Sequence, residues 1–304
     1  MNATSARGAL FAALACLLVG ASFTANSVLG DYPYAGGQAL RYGLAFLLLA
    51  PLARGARQRL RRLTRRQWLR VALLSGVGMV GFNLAVLAAE RSAEPAVPGV
   101  FVGCAPVVVA VLVPLLEGRR PRLWGASLVA AGAFVVQGWG RTDSAGLVFS
   151  ACALAGEVGF AVLAVPVLRV LGPVLTSATV CGVAAVESAV LGMTVDGGAW
   201  VRWPDGGEAV ALLWQAVVVT VVGFVCWYRG LRVLGAERAT LFSGLIPVAA
   251  AATAPAVGAG SYGAAQALGS ALVALGVAAG SGALRRPSEA TGRGGLAAGA
   301  GETG

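Results

Sequence analysis

Glu157, Glu187 and Arg41 each stand inside a long apolar run. Glu157 lies in Ala153-Leu-Ala-Gly-Glu-Val-Gly-Phe160, Glu187 in Val183-Ala-Ala-Val-Glu-Ser-Ala-Val190, and Arg41 opens Arg41-Tyr-Gly-Leu-Ala-Phe-Leu-Leu. An ionisable side chain in the middle of a membrane helix costs roughly 2.5–3.5 kcal/mol on insertion scales, so it is a candidate for function by default. Apolar surroundings disfavour a charged carboxylate, which lets a Glu there take up and release a proton. A guanidinium in the same setting can attract an anionic group of a substrate. Glu157 is therefore the first candidate for proton or substrate coupling, with Arg41 and Glu187 beside it. Each also has a plainer reading. A Glu can bond between helices for packing, Glu187 could lie near an aqueous end, and Arg41 could reach toward the outer surface.

A site built on these charges needs walls. The cavity-lining candidates are Gly20, Ser22, Phe23, Tyr42, Asn83, Phe160, Trp227 and Tyr228. The small residues allow close approach, Asn83 offers hydrogen bonds, and the aromatic rings could stack on a substrate. Trp and Tyr also favour membrane interfaces, so lipid contact competes with that role. Pro106 and Pro247 are candidates to kink their helices and free carbonyls toward a cavity.

Other chemistry lacks its residues. The chain has no His, and its five cysteines (Cys16, Cys104, Cys152, Cys181, Cys226) each stand alone in an apolar run. Neither a disulfide framework nor a metal site is expected. No phosphate-binding loop or nucleophile motif occurs, so ATP-driven transport and hydrolysis have no support. No cofactor is implied. An integral membrane enzyme would gather catalytic polar residues at one membrane face, and here they are scattered.

The elements that must position these residues are apolar helices. The chain is 58% hydrophobic and 12% charged, with mean hydropathy +0.79, whereas soluble domains carry roughly 25% charged residues. An all-α, multi-pass membrane protein follows. At about 20 residues per crossing, ten spans can be drawn: 8–29, 35–53, 68–89, 96–116, 123–140, 145–166, 173–193, 208–229, 237–258 and 262–282. The first could open a signal peptide behind Arg7, but no clean small-x-small cleavage site follows.

Charge supports the count. Every basic residue is Arg, and the formal net charge is +10. With the N-terminus in the cytoplasm, 19 Arg fall in inward segments and 3 in outward loops, with Arg41 inside a span. Basic residues favour the cytoplasmic side, so both termini are expected there. The basic balance therefore reads as topology rather than nucleic-acid binding. Ala-, Gly-, Val- and Arg-rich usage fits a GC-rich bacterial genome and an inner (plasma) membrane location.

The sequence also repeats itself. Ala93-Glu94, Pro106 and Gly125-Ala-Ser-Leu-Val-Ala-Ala-Gly132 return as Ala236-Glu237, Pro247 and Gly269-Ser-Ala-Leu-Val-Ala-Leu-Gly276. Two five-helix repeats are expected, over 1–141 and 142–284, with 285–304 as a disordered cytoplasmic tail. Five is odd, so the second half enters the membrane from the opposite side. The repeats are then inverted, and Glu157 becomes the counterpart of the small patch at Gly20–Ser22.

These motifs, in this order, resemble the EamA-type branch of the drug/metabolite transporter superfamily. Gly20-Ala-Ser-Phe23 is similar to its small-residue patch in the first helix, without the Trp. Arg41 through Pro51 is similar to its second helix. Pro106 with Glu117-Gly-Arg-Arg120 resembles its fourth, and Gly125–Gly132 its fifth. Trp227-Tyr228, Gly235-Ala-Glu-Arg-Ala239, Pro247 and Gly269–Gly276 complete the second half. Near Gly260 the family's second Glu is missing. The resemblance implies a secondary carrier exporting small metabolites, such as amino acids or related compounds, by alternating access. The expected partners are a small-molecule substrate and the lipid bilayer, with a homodimer left open. A lipid-handling or signalling protein on the same scaffold is the alternative.

Overall fold

Lipid offers a backbone no hydrogen-bond partners, so a chain this apolar must satisfy its own N–H and C=O groups. A computed structural model describes residues 3–22, 29, 32–53, 55–93, 96–138, 141–257 and 262–281. Among these there is no β-strand. One isolated bridge pairs Ala93 with Thr142. Phe23, Glu94, the stretch around Gly260 and the tail from 285 onward lie outside the described residues.

The helices are α1 (Ala3–Ala21), α2 (Tyr34–Leu49), α3 (Ala56–Leu60), α4 (Arg65–Ser75), α5 (Phe82–Glu90), α6 (Ala96–Gly103), α7 (Ala105–Leu116) and α8 (Trp124–Gln137), followed by α9 (Ser144–Leu171), α10 (Pro173–Val195), α11 (Gly206–Trp214), α12 (Gly223–Leu234), α13 (Ala236–Ala239), α14 (Leu245–Thr253) and α15 (Ala264–Ser281). Two junctions are π-helical: Gly76–Gly81 joins α4 to α5, and Gln215–Val222 joins α11 to α12. Both therefore sit inside continuous apolar rods. π-Helical turns inside α-helices are rare and gather at functional sites.

Among the described residues seven stretches are long and apolar enough to cross a membrane: Ala3–Ala21, Arg65–Ala89, Val97–Leu116, Ser144–Leu171, Pro173–Val195, Gly206–Leu234 and Ala264–Ser281. α8 is apolar but shorter, and α2 has 16 residues. The segment from Ala236 to Val257 is broken by 3-10 turns at Thr240–Gly244 and Ala254–Val257. Gly172 and Gly235 make the tight joins from α9 to α10 and from α12 to α13. Each holds a positive φ, 76° and 77°, which glycine adopts without a steric cost.

Packing sets the arrangement. α1 lies against α12 and α14, and α9 against α4, α5 and α6. α2 packs on α10, and α8 on α15. The last pair meets through glycines. A β-carbon on Gly132 would stand 2.6 Å from the Gly269 carbonyl oxygen, and one on Gly276 would stand 2.7 Å from that of Gly125. Early residues of one helix thus meet late residues of the other, so the two run antiparallel. Such small-residue seams let membrane helices gain dispersion contact where no hydrophobic drive separates protein from lipid.

The two ends of the bundle differ. At one end Leu63, Leu168, Leu171 and Leu231 are buried together, Arg59 Nη1 donates to the Leu171 carbonyl at 3.1 Å, and Arg119 bridges Glu117 and Glu237. At the other end Tyr32, Arg91 and Asp196 border a cavity that enters the bundle.

Candidate functional site

The cavity holds about 940 Å³. It is walled by α1, α2, the two π-helical rods and the middle of α9, while α7, α8 and α15 contribute nothing to it. It runs inward from Arg91 and Asp196 to Glu157, Ser243 and Trp227.

Arg41 reaches the cavity from α2. Its Nε donates to Thr220 Oγ1 at 2.8 Å, and its guanidinium carbon lies 5.2 Å from the Tyr42 ring centroid. Thr220 Oγ1 in turn donates to the Gln215 carbonyl at 2.8 Å, across the wide turn of the second π-helix. Among the described residues no carboxylate pairs with Arg41. Its other guanidinium donors are available to a substrate.

Glu157 faces the same space from α9, where Oε1 accepts from Ser243 Oγ at 3.0 Å. Small neighbours let its helix come close: a β-carbon on Gly156 would meet Phe82 Cβ at 2.9 Å. The result is one carboxyl and one guanidinium group in a single mostly apolar chamber, each tied by a hydroxyl on a different helix.

The rest of the lining is polar on one side and aromatic on another. Asn83 Nδ2 donates to the Met79 carbonyl at 2.7 Å and to Tyr42 Oη at 3.3 Å. Gln38 Oε1 is buried without a partner. Phe160 lies 5.4 Å from Phe224 and stacks on Trp227 at 6.3 Å with an interplanar angle of 18°. The Trp227 ring is 5% exposed, and its Nε1–H has no acceptor. A buried donor left unpaired costs about 1–3 kcal/mol, so a substrate acceptor placed there would be favoured.

Of the residues named from sequence, Glu157, Arg41, Ser22, Tyr42, Asn83, Phe160 and Trp227 lie in the cavity wall. Four do not. Gly20 is the point where α1 crosses Ile246 and Ala249, and its missing side chain is filled by that contact. Tyr228 is fully buried behind the wall, against Phe160 and Phe224. Glu187 is turned away from the chamber toward Gly76, because α10 contributes nothing to the lining and only Asp196, just after its end, reaches the mouth. Pro106 and Pro247 are buried near the starts of α7 and α14, outside the lining. Ser243 and Ile246, which flank the break before Pro247, do line it. Ser243 and Thr220 were missed from sequence. A lone hydroxyl in an apolar run carries no charge signal, and only the partner across the fold reveals it.

Comparison with known proteins gives the chain its relatives. Residues 6–137 match the EamA-like transporter family. Over 113 residues the chain is 32% identical to inner membrane protein YtfF of Escherichia coli (strain K12), a match that takes in 37% of this chain and 35% of that protein. The chain thus spans about a third of the length of that curated relative. A solved crystal structure shares the fold, with a TM-score of 0.77 at 24% identity, over 92% of this chain and 99% of the other.

Proposed function

We propose that this multi-pass membrane protein, whose residues 6–137 form an EamA-like transporter domain, is a secondary carrier that exports small dipolar metabolites by alternating access. The observation that carries the reading is the pairing of Arg41 and Glu157 in one chamber. A substrate with a carboxylate and an amine, such as an amino acid or a related compound, can place its anion at Arg41 and its cation at Glu157. Charge-assisted hydrogen bonds of this kind contribute about 1.5–3 kcal/mol each, which is enough to orient a small molecule. A proton on Glu157 competes with the substrate cation for the same carboxylate, which would couple flux to a proton gradient.

Ten spans in two inverted halves, 1–141 and 142–284, supply the moving parts. The helix pairing supports this arrangement. Exchanging each span for the one five places later turns the α1–α12 contact into the contact of α9 with α4 and α5. It turns α1–α14 into α9–α6, and it returns α2–α10 and α8–α15 to themselves. The two π-helical turns occupy matching spans. A dyad in the membrane plane that relates two halves lets one conformation become its mirror in access by rocking the halves against each other. With both termini in the cytoplasm, as the Arg distribution favours, the chamber faces outward and the Arg119–Glu237 end closes the inner side.

The test is counterflow of amino acids and related metabolites in proteoliposomes under an imposed pH gradient. Wild-type protein is expected to move a dipolar substrate and to respond to the gradient. Glu157→Gln is expected to lose that response. Equal flux in both proteins for every compound tried would overturn the assignment.

A further inference from the structure

Glu187 is spent on nothing in the chamber, yet it stands in the apolar length of α10. Its carboxyl fits the notch left by Gly76. A β-carbon at Gly76 would meet Oε1 at 3.5 Å, and the carboxyl carbon and Oε2 at 3.7 Å. Oε2 is buried and has no hydrogen-bond partner. Gly76 is the first residue of the π-helical turn Gly76–Gly81, and the same turn presents Gly78 and Met79 to the chamber. The carboxyl therefore lies against the first residue of a turn whose later residues line the cavity.

The charged and titratable groups on the elements around α10 are engaged or directed elsewhere. On α2, Arg41 is bonded to Thr220 and Tyr42 to Asn83. On α4, Arg65, Arg66 and Arg70 are exposed. On α9, Glu157 is bonded to Ser243, and Arg169 is exposed in the last turn. On α12, Tyr228 is buried against Phe160, Cys226 is a buried thiol, Arg229 lies over Phe11 and Arg232 lies beside Gly172. On α10 itself, Cys181 is buried. Among the described residues no cation pairs with Glu187, so its charged form is costly where it stands. A neutral carboxyl can remain in the notch, whereas an anion is driven out of it toward water.

We propose that Glu187 is a proton-binding site outside the substrate chamber, and that its protonated carboxyl seated on Gly76 holds the π-helical turn that lines the chamber. A proton bound there changes the shape of the cavity wall without touching substrate. The inference rests on the transport reading for its purpose, since a proton site that moves the wall is a coupling device. Its test needs no substrate.

Dicyclohexylcarbodiimide reports lipid-accessible protonated carboxyls. The acid proton passes to a carbodiimide nitrogen, the carboxyl oxygen adds to the central carbon, and the O-acylisourea rearranges to a stable N-acylurea with nothing leaving. Purified full-length protein in lipid nanodiscs is labelled across a pH series and read by peptide mass spectrometry. Glu187 is expected to carry the adduct, with a yield falling about tenfold per pH unit above its midpoint. Hydrogen exchange of the 76–83 segment, corrected for intrinsic rates, is expected to rise with pH in wild type and to stay low in Glu187→Gln, which mimics the protonated form. An absent adduct, a yield flat across pH, or identical exchange profiles in the two proteins would overturn the proposal. Should Glu187→Gln fail to fold, the labelling of wild-type protein decides alone. Neither measurement bears on Arg41 and Glu157, so failure here leaves the chamber reading to its own flux assay.

Discussion

Arg41 Nε donates to Thr220 Oγ1 at 2.8 Å, although 179 positions separate the two residues in sequence. The bond ties α2 to the second π-helical turn and aims the guanidinium into the chamber. It makes the charge a placed group rather than one free to reach the surface. If the guanidinium meets the anionic part of the substrate, Arg41→Gln should weaken substrate binding by about ten- to hundredfold, as measured by binding to protein in nanodiscs. Thr220→Val leaves the charge in place and should weaken binding much less. Equal losses in both variants would mean that the bond, and not the charge, is what matters.

Ser243 should modulate Glu157 rather than replace it. The hydroxyl is the donor that Glu157 Oε1 accepts at 3.0 Å. Ser243→Ala is expected to keep flux that responds to a pH gradient, with an altered pH profile, whereas Glu157→Gln flattens the profile. Proteoliposome flux at several internal pH values distinguishes the two. A flat profile in Ser243→Ala would show that the hydroxyl is itself required.

The antiparallel glycine seam should tolerate no side chain. A β-carbon at Gly132 would stand 2.6 Å from the Gly269 carbonyl oxygen and 2.7 Å from Val273 N, and backbone cannot step aside as a side-chain tip can. Gly132→Leu is expected to cost about 1–3 kcal/mol from overpacking, seen as a lower midpoint in thermal unfolding in detergent. An unchanged midpoint would show that α8 and α15 separate readily.

Tyr228 offers the opposite case. Its ring is fully buried against Phe160 and Phe224, but its hydroxyl has no partner. Removing a polar group that is already unpaired loses no hydrogen bond. Tyr228→Phe should leave thermal stability within about 0.5 kcal/mol of wild type or raise it. Tyr228→Ala should lower it by about 3–5 kcal/mol, the range for emptying an aromatic core site.

The closed end offers a test of alternating access. Arg119 and Glu237 are partly exposed, so their ion pair contributes little to stability, about 0–1 kcal/mol. They join the loop after α7 to α13, which fall in different halves of the proposed inverted repeat. Cysteines at both positions, joined by a short bifunctional thiol reagent, should stop flux while leaving substrate binding to the open chamber intact. Flux that continues after complete cross-linking would exclude an opening at that end.

What was legible in the sequence was whatever single residues and their periods carry. Apolar runs gave an all-helical membrane protein because lipid leaves the backbone no other partner. Arg positions gave an expected orientation, and the ordered motifs gave a resemblance to EamA-like transporters, whose family model residues 6–137 match. Glu157 and Arg41 stood out because a charge in an apolar run is rare and costly. The structure decided what depends on the rotation of one helix against another. It turned Glu187 toward Gly76 and out of the chamber, sank Tyr228 behind the wall, used Gly20 as a crossing point, and brought Thr220 and Ser243 to the two charges. Hydropathy is summed residue by residue along the chain. Which face of a helix meets a cavity is set only when all the helices have packed, and that face is where the chemistry lies.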